Sequence, residues 1–324
     1  MRLRVSQPMK LPPYKGSVLR GGFGSAFRRV ACAPRAKNCL GCLLRGVCPY
    51  AYVFETSPPE GSAVLRNLKD VPRPFVIEPP EDYRTEYTPG EALEFGLVLI
   101  GRGVEYLPFF IAAFKELGRT GIGPLRAGFD LVRVEQLKGT YRHVVYDADS
   151  SPGTLNLQPV KEGCVYRRDV AEEAARLPLE SVRIEFLTQT RLKADDEMQS
   201  RPDFDVLVRS ILRRVSSLAY FHHGVALDLD YRELIERARQ VRTVIDRTRW
   251  VNWVRYSNRQ DASMNLGGVV GWADYAGDLS PFRELLIVGQ LVHVGKNATF
   301  GLGRIRVKQT VQSHRLPVIQ EAAR

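Results

Sequence analysis

Residues 265–306 read N-L-G-G-V-V-G-W-A-D-Y-A-G-D-L-S-P-F-R-E-L-L-I-V-G-Q-L-V-H-V-G-K-N-A-T-F-G-L-G-R-I-R. Val269, Val270 and Trp272 mark a strand entering a core. Phe282, Leu285, Leu286 and, near the end, Gln290 mark a helix face. Pro281 sits in that helix's first turn, where a missing N–H costs little. Gly295, Gly301 and Gly303 then bracket a loop carrying Lys296. Ile305 and Val307 alternate with Arg304, Arg306 and Lys308, the pattern of a strand with one charged face.

Eight of the 27 glycines of the chain fall in this stretch, and two physical readings account for them. A glycine-rich loop lets backbone N–H groups approach an anionic ligand and tolerates positive φ. Alternatively, the glycines pack a tight helix-to-strand turn. A mononucleotide P-loop requires G-x-x-x-x-G-K-[ST] between strand and helix. Here the Gly-Lys pair comes first, Asn297 follows it, and the later glycines lead into a strand.

The segments G-G-V-V-G-W-A-D-Y-A-G-D-L and L-L-I-V-G-Q-L-V-H-V-G-K-N-A-T-F-G-L-G-R-I closely resemble the C-terminal signature of CRISPR repeat-RNA processing endoribonucleases of the RAMP superfamily. The upstream run Arg255-Tyr256-Ser257-Asn258-Arg259-Gln260 resembles a signature of the same family. So does Tyr14-Lys15-Gly16-Ser17-Val18-Leu19-Arg20-Gly21 near the N-terminus. The resemblance implies a duplicated ferredoxin-like (RRM-like) architecture and cleavage of a long precursor transcript into guide RNAs.

Working outward, 324 residues suffice for two domains, and 44% hydrophobic with 26% charged residues suits a packed core. No apolar run approaches the ~20 residues of a membrane span. The most apolar stretch, residues 285–295, is interrupted by Gln290 and His293. The first residues, Met-Arg-Leu-Arg-Val-Ser, carry no signal-peptide core, so a cytoplasmic location is expected. The net charge of +11 is uneven. Residues 1–50 hold ten Lys or Arg and no acid, leaving 37 basic against 36 acidic side chains in the remainder. Such a surface attracts polyanions. With no amphipathic membrane helix evident, the expected partner is nucleic acid: repeat RNA or guide RNA, alone or within a CRISPR effector complex.

The N-terminal half reads as an α+β unit over residues 1–147. Leu3 and Val5 alternate with Arg2 and Arg4 as a strand. Ser17 is the expected N-cap of a helix with Leu19, Phe23, Ala26, Phe27 and Val30 on one face and Arg20, Arg28 and Arg29 off it. Residues 50–55, 75–78, 91–100, 129–137 and 141–147 read as strands. Residues 106–117 read as a helix ended by Gly118. Inserted at 32–48 are Cys32, Cys39, Cys42 and Cys48, spaced C-x6-C-x2-C-x5-C. Four thiolates can close a tetrahedral metal site, and a disulfide framework does not suit a cytosolic chain. Structural zinc is the expected occupant, with an iron–sulfur cluster or unliganded thiols as alternatives.

Residues 148–179 read as a linker and 180–310 as a second unit with the same element order, followed by a tail at 311–324. Residues 182–192 form its first strand. Phe204, Leu207, Val208, Ile211, Leu212, Val215 and Leu218 form a helical stripe, with Arg209, Arg213 and Arg214 on the other side. Residues 231–245 read as a charged surface helix, and 249–257 and 266–275 as strands. The fold class is therefore α+β, with tandem βαββαβ domains.

RNA cleavage through the substrate's own 2′-hydroxyl needs a base, an acid and positive charge at the phosphate, and no metal. The chain has five histidines: His143, His222, His223, His293 and His314. Relatives in the resembled family commonly place a catalytic His in or just after the first helix. Here residues 1–142 contain none, and the cysteines stand in that place. Other family members use Lys, Arg or Tyr. The expected catalytic set is His293, Lys296 and Tyr275. The expected RNA-binding set is Arg20, Arg28, Arg29, Arg255, Arg259, Arg304 and the loop glycines Gly295, Gly301 and Gly303. Asp274 and Asp278 flank Tyr275 and read as a turn feature. The alternatives are a non-catalytic RAMP subunit that holds guide RNA, and a metal-centred redox or sensing protein built on the cysteines.

Overall fold

The structure, a computed structural model, describes residues 1–35, 39, 41–56, 71–150, 163–194, 196–257 and 262–310. In β1 (Arg2–Val5), Leu3 and Val5 face the core and Arg2 and Arg4 face solvent. Helix α1 (Gly16–Ala31) buries Leu19, Phe23, Ala26 and Phe27. It begins one residue before the expected cap at Ser17. Residues 50–55 are not a strand. They lie in a short helix, α2 (Pro49–Phe54), with Pro49 in its first turn and Tyr50 stacked on Phe54 four residues on, at 5.0 Å.

Next come β2 (Phe75–Glu78), β3 (Ala92–Glu94) and β4 (Gly96–Leu99). The strand expected over 91–100 is split at Phe95. That residue's backbone bonds Met1 in both directions, at 2.9 and 3.1 Å. Helix α3 (Leu107–Thr120) runs past Gly118 and stops at Gly121. Gly118 is a contact residue: a Cβ there would lie 2.1 Å from the Phe129 carbonyl oxygen. Strands β5 (Phe129–Lys138) and β6 (Tyr141–Asp147) complete an antiparallel sheet of order β3-β1-β5-β6, and β4 pairs with β2. Phe23 stacks on Phe110 and Phe114, at 5.1 and 4.7 Å, locking α1 to α3.

Within the stretch expected as a linker lies α4 (Arg167–Ala175). Its buried Val170 and Ala174 pack on Ile287 of the C-terminal domain. That domain contains β7 (Ser181–Thr190), α5 (Phe204–Leu218), α6 (Tyr231–Gln240), β8 (Arg242–Val251), a hairpin of β9 (Val254–Ser257) and β10 (Ala262–Asn265), β11 (Gly268–Ala276), α7 (Arg283–Val292) and β12 (Ile305–Lys308). The sheet order is β8-β11-β7-β12, all antiparallel. The first and third strands of the unit are therefore central, as in ferredoxin-like folds. The helix expected over 231–245 ends at Gln240, and 242–251 is an edge strand whose β-branched Thr243, Val244, Ile245 and Thr248 suit a pleated surface. Arg214, expected on the outer face of α5, is buried. Among the described residues no helix is long and apolar enough to cross a membrane.

Candidate nucleic-acid interface on the glycine-rich loop

After α7 the chain turns at His293, whose φ of +64° lies in the left-handed region. Residues 294–304 then fold back on the end of β7. Val294 N–H donates to the Gly303 carbonyl at 2.8 Å, Lys296 N–H to Arg191 at 3.3 Å, and Gly303 N–H to Gln189 at 3.2 Å. Thr188 Oγ1 donates to the Gly301 carbonyl and accepts from Arg304 N–H, both at 2.9 Å. At Gly303, φ is +72° and a Cβ would fall 1.7 Å from the Val294 oxygen, so no other residue fits. Gly301 lies under Pro79 and Tyr14 of the N-terminal domain, and Gly295 lies against the Arg191 carbonyl. Of the two readings of the glycines, the packing turn accounts for these three. The N–H groups of Gly301 and Gly303 bond protein carbonyls.

The loop is also the joint between the domains. Tyr14 O–H donates to the Phe300 carbonyl at 2.8 Å, and burial pushes its phenol far above the ordinary value. A Cβ on Gly16 would lie 2.0 Å from the Phe300 oxygen. Lys15 is fully buried and holds the Asp82 carboxylate at 2.7 Å. His293 is fully buried, with Nδ1 3.1 Å from the Leu302 carbonyl and Nε2 3.0 Å from Glu78 Oε1 on β2. Both ring nitrogens are thus engaged by oxygen atoms inside the protein. Burial works to raise the Glu78 carboxyl, but the His293 hydrogen bond and charge, then Arg304, bring it below its ordinary value. His222 forms a second rivet. Its Nδ1 lies 2.9 Å from Tyr52 Oη and its Nε2 2.7 Å from the Pro72 carbonyl. Burial pushes His222 down to about 4, so the neutral ring donates through Nε2 and accepts from the Tyr52 hydroxyl.

These contacts redistribute the expected site residues. Tyr275 is a core residue of the C-terminal domain: its ring packs on Phe204 and its O–H donates to the Pro202 carbonyl at 2.5 Å, out of reach of a substrate. Asp274 is a strand residue, not a turn. It holds Arg183 through two bonds of 2.7 and 2.8 Å, while Arg183 lies 3.6 Å over the Trp272 ring. Arg304 pairs with Glu81 at 2.7 Å and approaches Glu78 at 3.7 Å. Arg20 lies over the Phe54, Phe75 and Phe300 rings, Arg28 over Tyr50, and Arg29 pairs with Glu116 at 3.0 Å. Arg255 lies on β9, and Arg259, the tail and His314 lie outside the described residues.

Of the expected catalytic set, Lys296 alone is exposed. It makes no ion pair among the described residues. Partial desolvation, followed by the charges of Lys193, Arg213 and Arg191, pushes its ammonium below the ordinary lysine value, with Asp196 opposing. Arg191 is fixed by donating to the Asn265 and Gly267 carbonyls at 2.6 and 3.0 Å, and Lys193 pairs with Asp196. The cluster therefore carries excess positive charge in a partly dry setting, which suits a phosphate. Arg191 and Lys193 escaped the sequence reading, although they alternate just past the end of the first strand of the second unit.

The four clustered cysteines line one cavity of about 140 Å³ after α1. Among the described residues no three His, Cys, Asp or Glu side chains converge as a metal-ligand group. Burial, then Glu55, raises the Cys39 thiol, with Arg28 opposing.

Two ferredoxin-like domains joined through a glycine-rich loop form the tandem architecture expected of RAMP proteins. Residues 184–305 match the family model described as CRISPR-associated endoribonuclease Cas6. Residues 1–160 match a separate N-terminal domain model, AF_1859_N. An uncharacterized protein of Archaeoglobus fulgidus is 24% identical over 304 residues, covering 92% of this chain and 93% of that one. The product complex of a Thermus thermophilus Cas6 shares the fold with a TM-score of 0.52 at 17% identity, covering 94% of this chain and 98% of that one. A partial Cas6-RT-Cas1–Cas2 complex gives 0.53 at 13% identity, covering 97% of this chain and 46% of that longer chain.

Proposed function

We propose that this chain is a cytoplasmic CRISPR repeat-RNA processing endoribonuclease. The observation that carries this reading is the excess of positive charge around exposed Lys296, where, among the described residues, Lys193, Arg191 and Arg213 face the single carboxylate of Asp196, on the loop within the residues that match the Cas6 family model. The scissile phosphate sits on Lys296, Arg191 and Arg213. The 2′-oxygen of the preceding ribose attacks phosphorus as it loses its proton, and the 5′-oxygen departs as it gains one. One product ends in a 2′,3′-cyclic phosphate and the other in a 5′-hydroxyl. Lys296, with its lowered affinity for a proton, supplies charge to the crowded phosphate and can move a proton at the leaving oxygen. No metal ion takes part. Cleavage at one position in the cognate repeat RNA, persisting in EDTA, is the expected result of a gel assay. Binding without cleavage under all conditions would contradict it.

Lys296→Ala lowers the single-turnover rate at saturating RNA by about 10²-fold. It also weakens binding by roughly 1 kcal/mol and makes the salt dependence shallower by about one phosphate contact. An unchanged rate would move the chemistry elsewhere on the cleft. A second reading, a non-catalytic RAMP subunit holding guide RNA in an effector complex, is favoured by one observation: His293 and His222 both have their two ring nitrogens engaged inside the protein.

Among the described residues, the four thiols line one cavity after α1 without converging as a ligand group, so structural zinc there would have to draw them together, with charge offset from Arg35 and Arg45 nearby in sequence. Near-stoichiometric zinc is expected by elemental analysis of purified protein, and Cys39→Ser lowers the unfolding temperature more than it slows RNA cleavage. Metal-free protein with the same stability would remove the zinc from the account.

A further inference from the structure

A groove of about 470 Å³ opens between α5, the turn at residues 219–223 and α6. Its lining is mostly apolar and includes Leu212, Ile235 and the two tyrosines Tyr220 and Tyr231. Arg209 and Arg213 also line it. The Asp205 carboxylate lies 3.3 Å from Arg209, whereas no acidic side chain among the described residues pairs with Arg213. Arg213 is also one of the charges that press on Lys296, so the groove adjoins the cationic cluster of the glycine-rich loop. The two are held in register by the next residue. Buried Arg214 donates through Nε to the carbonyl of Val292, the last residue of α7, at 2.8 Å.

We infer that this groove receives one unpaired nucleotide of the bound RNA, with its base against the tyrosines that line it and its phosphate on Arg213. The inference deepens the RNA-binding reading above and rests on it. The volume falls within the range of small-ligand pockets, roughly 300–1,000 Å³. A nucleobase offers a flat π-face to aromatic walls and is always joined to a phosphate, which matches an apolar slot with a free guanidinium at its side. The Ser216 and Tyr231 hydroxyls lie 2.9 Å apart and supply donors and acceptors at the wall for the edge of a base.

The test is an abasic scan of the unpaired positions of the repeat RNA, with affinities measured for the intact chain and for Ala226→Trp. Ala226 lines the groove and is exposed, so the indole plugs the opening without disturbing the core. One abasic position should cost the unaltered protein about tenfold or more in affinity. Ala226→Trp should lose a similar factor on intact RNA and be indifferent to that abasic site. Arg213→Ala should weaken binding while still sensing the base. The inference is overturned if Ala226→Trp binds intact RNA as the unaltered chain does, or if the two losses multiply. It is also overturned if the plug releases a co-purifying protein at unchanged RNA affinity, which would give the groove to a protein partner. If the unaltered chain fails to bind repeat RNA while Lys296→Ala behaves identically, the proposed function itself falls.

Discussion

His293→Ala lowers the midpoint of thermal unfolding by roughly 5–10 °C while changing the single-turnover cleavage rate by less than about tenfold. The ring is fully buried and bridges the Leu302 carbonyl to Glu78 of the other domain. Truncation leaves the largely buried Glu78 carboxylate with only the more distant Arg304, at 3.7 Å. Breaking a buried pair costs about 3–5 kcal/mol, and the 24% exposure of the Glu78 side chain reduces this to roughly 2–3 kcal/mol. Loss of a general acid or base would instead cost about 10²–10⁴ in rate with little change in stability. A large rate loss at an unchanged unfolding temperature would return His293 to the chemistry.

Replacing the 2′-hydroxyl of the scissile nucleotide with hydrogen abolishes cleavage and changes affinity by less than about tenfold, the scale of one hydrogen bond. The substitution removes the attacking atom and leaves the phosphate, the bases and every cationic contact in place. The cluster of Lys296, Arg191, Arg213 and Lys193 should hold the deoxy substrate as it holds the RNA. Cutting of the deoxy substrate at the same bond would show that water is the nucleophile and would end the proposed mechanism.

The fold was legible where one face of an element is buried. Val182, Ile184 and Phe186 alternate along a central strand, and Phe204, Leu207, Ile211 and Leu218 recur along one helix face, so pattern and burial agree. It was not legible at 242–245, the start of an edge strand whose mostly exposed side chains read like a solvated helix face. Nor was it legible at 50–54, where an aromatic run takes a helical turn because Tyr50 and Phe54 stack. The glycine-rich loop announced itself, but its purpose did not. The partner that fixes His293 is 215 residues away in sequence. The aromatic box around Arg20 draws on Phe54, Phe75 and Phe300. Tyr275 looked like a signature residue beside a catalytic loop, yet alternation along β11 turns it into the core. The cationic cluster gathers Arg191 and Lys193 after β7, Arg213 of α5 and Lys296 of the loop, and no local spacing encodes that meeting.

The central claim is that this protein cuts repeat RNA by attack of the RNA's own 2′-hydroxyl, guided by the charge on its glycine-rich loop. It is tested most directly by determining the ends of the products made from the cognate repeat RNA in EDTA. The account predicts a 2′,3′-cyclic phosphate on the upstream fragment and a 5′-hydroxyl on the downstream one. A 3′-hydroxyl with a 5′-phosphate, or no products until a divalent metal is restored, would contradict it.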